Sequence, residues 1–197
     1  MNQYLKKIRE LEKEIKRLKE VAYKDELTKL YNRRGFKEES EKFISHVAMQ
    51  FKYPEKRKSV IIKNYSIIIF DIDYFKKIND TYGHDVGDEA LKFFSSIIIS
   101  RLRKIDAVAR WGGEEIIVGL VGADEDDAYR IAEDIREKLE KSELNYKRKK
   151  IKFTVSGGVA SLDREKTFEE MFRAADEALY MAKKTGRNKI IKASNLK

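Results

Sequence analysis

A short run of apolar residues, SIIIF at 66–70, is followed at once by an acidic segment that begins with Asp71. So short and continuous a run is typical of a strand that is buried on both faces of a sheet. We therefore predict a short buried strand here, with Asp71 at its end.

The segments after this strand alternate between helical and strand patterns. Helical periodicity covers 88–104, 124–142 and 168–184, and strand patterns cover 106–111, 114–121, 150–161 and 188–193. Gly112 and Gly113 separate the first two of these strands, and a Gly-Gly loop suits a tight hairpin. The predicted class is α/β (α+β), with a ferredoxin-like β-α-β-β-α-β core in which helices flank a sheet containing antiparallel strands.

Residues 1–22 have a different pattern, with apolar residues in steps of four and three. These positions are Tyr4, Ile8, Leu11, Ile15, Leu18 and Ala22. So narrow a stripe is the seam of a coiled coil, and a lone helix of this kind is marginal in water. We expect a self-associating stalk at 1–22 ahead of a globular domain at 23–197. The alternative is a helix that packs on its own domain.

Composition narrows the class of protein further. The chain has no cysteine, which excludes disulfides and thiolate metal sites and fits a cytoplasmic location. No apolar run is long enough to span a bilayer, so we expect no membrane segment. The net charge of +9 is compatible with nucleic acid, anionic lipid, a phosphorylated small molecule, or simply a lysine-rich surface.

Three carboxylates stand where strands meet turns. Asp71 ends the buried strand, and Glu114 and Glu115 follow the glycine pair. If the two strands are neighbours, Asp71 and one glutamate converge at the same sheet edge. Carboxylate oxygens suit Mg²⁺ or Mn²⁺, and there is no Cys or His cluster to suggest zinc. The alternative is a hairpin with solvated carboxylates.

Two further groups of polar residues have both a functional and a plain interpretation. Asn79 and Asp88 bracket a glycine-rich turn and together have the groups to bind a guanine edge, but Asp88 also suits a helix N-cap. Lys183 and Arg187 have the charge to hold a triphosphate, although cations near a helix end often only interact with its dipole.

These groups occur in one order within five segments: DELTKLYNRRGF, FDIDYFKKINDTYGHDVGDEAL, RWGGEEI, FTVSGGVAS and ADEALYMAKKTGRNKI. In this order the segments resemble the GGDEF family of diguanylate cyclases over roughly residues 23–193. The resemblance implies an enzyme that joins two GTP molecules into cyclic di-GMP with a divalent cation, across a dimer that the stalk brings together.

The resemblance also implies roles for individual residues. Asp71, Glu114 and Glu115 are the expected catalytic carboxylates and metal ligands, assisted by the backbone carbonyl of Ile72. Asn79 and Asp88 are the expected guanine-binding residues. The remaining GTP-binding positions are Tyr74, Phe75, Lys76, Gly112, Gly113, Lys183 and Arg187.

Arg103 and Asp106 have the spacing of the family's inhibitory product site, with five residues between Asp106 and Gly112. A helix-end ion pair is the plain alternative. The chain departs from the family pattern in two places. Ile116 replaces the usual Phe, for which we expect only a packing change, and the segment 52–63 is longer than usual, with no function assigned.

Other classes remain open on the sequence. A catalytically inactive module that binds GTP or cyclic di-GMP would be expected to lose the signature acids or glycines, which are present here. A polymerase-palm or adenylyl-cyclase-like enzyme shares the fold outline, but Asn79 and Asp88 argue against it. We expect no nucleic-acid partner, because no RNA-binding aromatic motif accompanies the basic charge.

Overall fold

The computed structural model describes residues 2–52, 62, 64–147, 149–162 and 167–196. The segment 52–63 falls almost entirely outside these described residues. The strands are β1 (Tyr65–Ile72), β2 (Ala107–Gly112), β3 (Glu115–Val121), β4 (Leu144–Tyr146), β5 (Lys149–Ile151), β6 (Val155–Ser161) and β7 (Ile190–Lys192). The helices are α1 (Asn2–Tyr23), α2 (Arg33–Lys52), α3 (Phe75–Tyr82), α4 (His84–Ile99), α5 (Glu125–Lys141) and α6 (Phe168–Lys184), followed by a 3₁₀ turn at Ala193–Leu196.

The main sheet has the order β2-β3-β1-β6-β7. Strand β1 lies at its centre, antiparallel to both β3 and β6, and all eight of its residues are buried. Strands β1, β2, β3 and β6 have the predicted ferredoxin-like arrangement, so the predicted fold class is confirmed. Helix α6 then leads back to β7, which adds to the edge parallel to β6.

Helices cover both faces of the sheet, as the apolar run of β1 requires. Ile68 and Phe70 face a core that includes residues of α4 and α5. Ile67 and Ile69 face the opposite core, to which α2 and α6 contribute. Because side chains alternate along a strand, Asp71 continues the second set and lies on the side of α6.

Close packing of α6 on the sheet depends on Gly158 of β6. A Cβ at this position would lie 1.9 Å from the carbonyl oxygen of Ala175 in α6. The missing side chain therefore lets the helix backbone rest directly on the strand. The N-terminus of α6 has a capping box, in which Thr167 and Glu170 bond to each other's backbone N–H groups. The helix that carries Lys183 is thus fixed at its start and along its length.

Two predicted elements differ from those in the structure. The helix predicted at 88–104 begins at His84 and is preceded by α3, which was not predicted. Only Gly83, with φ of 92°, separates the two helices, so a segment rich in turn-forming residues is helical almost throughout. The strand predicted at 150–161 is two strands, because β5 pairs with β4 in a separate hairpin before β6 begins.

The N-terminal helix is confirmed, and its predicted seam is exposed. Ile8, Leu11, Ile15 and Leu18 are each about half exposed, and Tyr4 more so. The end of α1 is fixed to the domain, because the N–H of Asn32 donates to the carbonyl of Tyr23 and its side chain to that of Ala22. The apolar stripe is therefore not covered by the chain's own domain.

Candidate active site

Asp71 and Glu115 lie directly opposite each other in the antiparallel β1–β3 pair. Both are on the face toward α6, since the next inward residues, Ile69 and Ile117, belong to the core on that side. Asp71 is 6% exposed. The structure thus brings together the last carboxylate of the central strand and the first residue of its neighbour, at one edge of the sheet.

The charge of Asp71 is balanced by a cation from α6. Nζ of Lys183 lies 2.7 Å from Oδ2 of Asp71. Burial nevertheless raises the pKa of Asp71 to about 6, against the opposing effect of Lys183 and with added repulsion from Glu114 and Glu115. Burial also raises the pKa of Glu115, and Lys183 again opposes it. The closeness of these negatively charged carboxylates is unfavourable, so a further cation would bind to them.

The turn ahead of Glu115 differs by one residue from the predicted Gly112–Gly113 loop. Gly112 ends β2 and pairs with Glu115, so the two loop residues are Gly113 and Glu114. Gly113 has φ of +32°, and a Cβ there would meet no atom within 4 Å. The turn therefore places Glu114 beside the other two carboxylates and leaves the surface above Gly113 open to a ligand.

Sequence reasoning missed the residue that holds this turn. Nε of Arg110 donates to the carbonyl oxygen of Gly113 at 2.9 Å, and its Nη1 lies 3.4 Å from Oδ2 of Asp25. Arg33 of α2 stacks on Trp111 at 4.6 Å, and its charge, like that of Lys183, opposes the burial that raises the pKa of Glu115. Asp25 and Arg33 belong to the segment DELTKLYNRRGF, whose recurrence in the family was the available signal.

A divalent metal ion fits this carboxylate pair. Within the described part of the chain, no three or more His, Cys, Asp or Glu side chains form a ready-made metal cluster. Mg²⁺ does not require one, because it keeps several waters and is bound through one or two carboxylates plus substrate phosphates. Two neighbouring carboxylates with raised pKa values, the buried Asp71 and the half-buried Glu115, stand beside an open turn and match that mode of binding.

Asn79 and Asp88 lie on two adjacent helices. In place of the predicted glycine-rich turn, Gly83 alone separates these helices. Asn79 belongs to α3 and Asp88 to α4. A Cβ on Gly87 would lie 1.9 Å from Oδ1 of Asn79, so the amide packs against the α4 backbone next to Asp88. The alternative that Asp88 caps a helix is wrong, because α4 begins four residues earlier at His84.

The start of α3 and the segment after α6 meet beside the carboxylates. Tyr74 is the residue before α3, and its carbonyl accepts from the N–H groups of Lys77 and Ile78. The preceding amides of Phe75 and Lys76 belong to the first turn, where N–H groups have no partner within the helix. The guanidinium of Arg187 lies 4.5 Å from the centre of the Tyr74 ring. An anion at this point would meet helix amides and an arginine together.

Arg103 and Asp106 form an ion pair on a different part of the surface, in the turn after α4. Nε and Nη2 of Arg103 donate to Oδ2 and Oδ1 of Asp106 at 3.1 and 3.0 Å. The Asp106 side chain is only 2% exposed and also accepts from the backbone N–H of Val121 and of Arg103 itself. The ion pair considered as the alternative to a product site is therefore present in the structure. Arg103 is the member of the pair that solvent reaches, with its side chain 61% exposed.

Comparison with known proteins agrees with this geometry. The family model described as "Diguanylate cyclase, GGDEF domain" matches residues 22–189. Diguanylate cyclase DosC of Escherichia coli is 37% identical over 191 residues, which cover 96% of this chain and 39% of that protein. The chain thus spans about two fifths of the length of this curated relative. It belongs to the GGDEF family of diguanylate cyclases.

Two solved structures show the same fold. The GGDEF domain of DgcB from Caulobacter crescentus, in complex with c-di-GMP, is 27% identical with a TM-score of 0.79, over 88% of this chain and 96% of that one. The active GGEEF domain of a diguanylate cyclase from Vibrio cholerae is 31% identical with a TM-score of 0.68, over 82% of this chain and 96% of that one. Among the described residues, no helix has the length and apolar character to cross a membrane.

Proposed function

We propose that this chain is a diguanylate cyclase, which condenses two molecules of GTP into cyclic di-GMP and releases two pyrophosphates. The observation that carries the proposal is the cross-strand pair of the buried Asp71 and the half-buried Glu115 at an open glycine turn. The family of the chain and the named activity of its relatives support it. We also propose a cytoplasmic location, where GTP is available and cysteine-free chains are common.

Asp71 and Glu115 would hold Mg²⁺ or Mn²⁺, with the backbone carbonyl of Ile72 and the side chain of Glu114 as further ligands. When bound, the ion would neutralise charge on the α-phosphate and lower the pKa of the attacking 3′-hydroxyl. Glu114, at the edge of the turn, is the expected acceptor of the hydroxyl proton. Lys183, which neutralises Asp71 in this structure, would then be available to the phosphates.

Asn79 and Asp88 would select the base. The Asp88 carboxylate accepts from the N1–H and N2–H₂ groups of guanine, whereas an adenine edge offers no such pair of donors. Gly87 supports this assignment, because its missing side chain leaves room for the Asn79 amide beside Asp88. The selectivity for GTP over ATP would therefore depend on how closely α3 and α4 pack.

The phosphates would lie between the start of α3 and the residues after α6. The first-turn amides near Tyr74 and Phe75, together with Lys76, supply hydrogen-bond donors and a favourable helix terminus. Lys183 and Arg187 add positive charge, and Arg187 is suited to a bidentate contact. Gly112 and Gly113 would let the nucleotide approach the turn backbone closely.

Each domain would bind one GTP, so two domains must meet for two bonds to form. A two-fold dimer lets each nucleotide supply the hydroxyl that attacks the other. The exposed seam of α1 supports self-association through a stalk at residues 1–22, which raises the effective concentration of the second domain. We propose GTP, cyclic di-GMP and a second copy of the chain as partners, and no nucleic acid.

Cyclic di-GMP would also bind at Arg103 and Asp106 and inhibit the enzyme. Because all the bonds made by Asp106 are internal, its main task in this conformation is to hold Arg103 in place. Arg103 is exposed and would grip a guanine edge or a phosphate of the product. Full engagement of Asp106 by the product would require Arg103 to release it.

The test is incubation of the purified chain with GTP or ATP and Mg²⁺, followed by separation of the products. We expect cyclic di-GMP and pyrophosphate to form with GTP and no corresponding product to form with ATP. Asp71→Ala and Glu115→Ala should each retain less than about 1% of this rate, since loss of even an outer-shell partner of a metal costs about 10–100-fold. The alternative, an inactive module that binds GTP or cyclic di-GMP, predicts nucleotide binding without any product.

A further inference from the structure

Asp73 is a buried carboxylate that none of the roles above uses. It lies two residues after Asp71, is 3% exposed, and accepts hydrogen bonds from three donors. Oδ1 accepts from Oγ of Ser156 at 2.7 Å, and Oδ2 accepts from Oγ1 of Thr154 at 2.6 Å and from the backbone N–H of Asn188 at 3.0 Å. A buried carboxylate is costly to desolvate, so such a residue at the edge of a site calls for an explanation.

The third donor belongs to an unusual turn. Gly186, Arg187 and Asn188 have φ values of 115°, 62° and 46°, all in the left-handed region. Two of these residues carry a Cβ, for which this conformation is unfavourable and persists only where neighbouring contacts enforce it. The bond from Asn188 N–H to Asp73 fixes the end of the turn to the last residues of the β1 segment.

Hydrogen bonds to two helices also support this turn. The N–H of Arg187 donates to the carbonyl of Ala182 in α6. The Asn188 side chain donates to Glu140 at 2.8 Å and accepts from Arg136 at 3.0 Å, both on α5. The contact to Asp73 is the one that ties the turn to the strand of the carboxylate pair.

The turn determines where the Arg187 side chain lies. Its guanidinium stacks on Tyr74, and its Nη1 donates to the Tyr74 hydroxyl at 3.4 Å. Tyr74 is the neighbour of Asp73 in sequence and the residue from which α3 begins, with φ of 55°. Asp73 is therefore bonded in sequence to Tyr74 and hydrogen-bonded to the loop that carries Arg187, so it joins the two residues that stack on each other.

We propose that Asp73 is a positioning residue, whose buried carboxylate holds the left-handed turn at 186–188 so that Arg187 faces the phosphate-binding end of α3. The inference rests on the proposed function, because the benefit of this arrangement is a prepared contact to the triphosphate. Its chemical target is the phosphate chain of GTP and not the base. Loss of Asp73 should thus weaken triphosphate binding and leave guanine recognition intact.

The first test measures substrate handling. Asp73→Ala should raise KM for GTP at least tenfold with a smaller change in kcat, and should leave the affinity for guanosine unchanged in calorimetric titration. Asp73→Asn keeps an oxygen that accepts from Asn188 and should recover most of the lost affinity. Ser156→Ala is the matched control, since it removes another donor to Asp73 but leaves the turn contact, and its KM should stay near that of the unmodified chain.

A second measurement does not depend on catalysis. The Nε–Hε NMR signal of Arg187, assigned by its loss in Arg187→Lys, should be shifted by the Tyr74 ring current in the unmodified chain and in Ser156→Ala. In Asp73→Ala the shift should disappear. If the shift and KM are both unchanged in a folded Asp73→Ala protein, the positioning role is wrong. Absence of turnover in the unmodified chain, with the NMR result as expected, would instead count against the proposed function.

Discussion

Lys183 and Asp71 form an ion pair that joins helix α6 to the end of the central strand, with 2.7 Å between Nζ and Oδ2. The pair is unequal, since the Lys183 side chain is 34% exposed and that of Asp71 only 8%. The cation can leave for solvent or for a phosphate, whereas the carboxylate has no such freedom. Because burial also raises the pKa of Asp71 to about 6, its charge depends on pH near neutrality.

The first prediction is a pH dependence of stability in metal-free protein. Burial holds the pKa of Asp71 at about 6, above its ordinary 3.8. Between about pH 4 and pH 6 the folded chain therefore keeps a proton on Asp71 that the unfolded chain loses. This proton stabilises the fold fully below about pH 4, and the stabilisation is lost as the pH rises through about 6. Asp71→Asn should exceed the unmodified chain in unfolding free energy above that pH by up to about 3 kcal/mol.

Urea unfolding in the presence of a chelator at several pH values would measure this difference, which should shrink toward pH 4. Asp126→Asn is a suitable control, because the pKa of that exposed carboxyl is lowered by Lys192 and the same trend is not expected. Added Mg²⁺ should raise Tm of the unmodified chain but not of Asp71→Asn. An identical response of the two proteins to Mg²⁺ would exclude Asp71 as a ligand.

The second prediction concerns base selectivity. Gly87→Ala should reduce the preference for GTP over ATP as Asn79→Ala does, because the new Cβ would occupy the position of Oδ1 of Asn79. Sites that pair buried polar groups with a ligand lose large factors when the pairing fails. Ratios of kcat/KM for the two nucleotides measure the effect. Unchanged selectivity in a folded Gly87→Ala protein would show that the Asn79 amide does not contact the base.

The third prediction separates the two members of the proposed product site. Arg103→Ala should bind cyclic di-GMP poorly and make more product before it stalls; any loss of stability comes from leaving the buried Asp106 carboxylate without its cation. Asp106→Ala should destabilise the fold by about 1–3 kcal/mol, because it leaves the buried N–H of Val121 without its acceptor. Calorimetry with cyclic di-GMP, progress curves and thermal melts report these effects. Equal product affinity in Arg103→Ala and the unmodified chain would place the inhibitory site elsewhere.

The fourth prediction concerns the stalk. Deletion of residues 1–20 should lower activity per mole most strongly at low protein concentration, because the meeting of two GTP-loaded domains becomes bimolecular. Leu11→Asp should act in the same direction, since Leu11 lies on the exposed seam. Lys13→Asp, off the seam, is the control. Activity per mole of the truncated chain that stays constant on dilution would contradict a role for the stalk.

The sequence pattern predicted the ferredoxin-like outline and, if the two strands were neighbours, the convergence of Asp71 with one of the two glutamates. The structure identifies the residue opposite Asp71 as Glu115. The sequence was not sufficient for α3, whose polar residues and following Gly83 resemble a loop, or for the break between β5 and β6. Those features depend on partners distant in the chain. The roles of Arg110 and Asp73 also went unseen, since a hydrogen bond to a backbone group leaves no pattern in the sequence.

Ile116 follows Glu115 in β3, and the pleat of the strand sends its side chain to the opposite face of the sheet, where it is fully buried in the core on the side of α4 and α5. The fifth residue of the signature therefore affects the packing of the core, and the sheet separates its side chain from the carboxylate of Glu115. A different apolar residue at this position can match the packing of the helices on that side while the carboxylates stay in place. A motif search that insists on phenylalanine there would discard chains whose catalytic groups are complete.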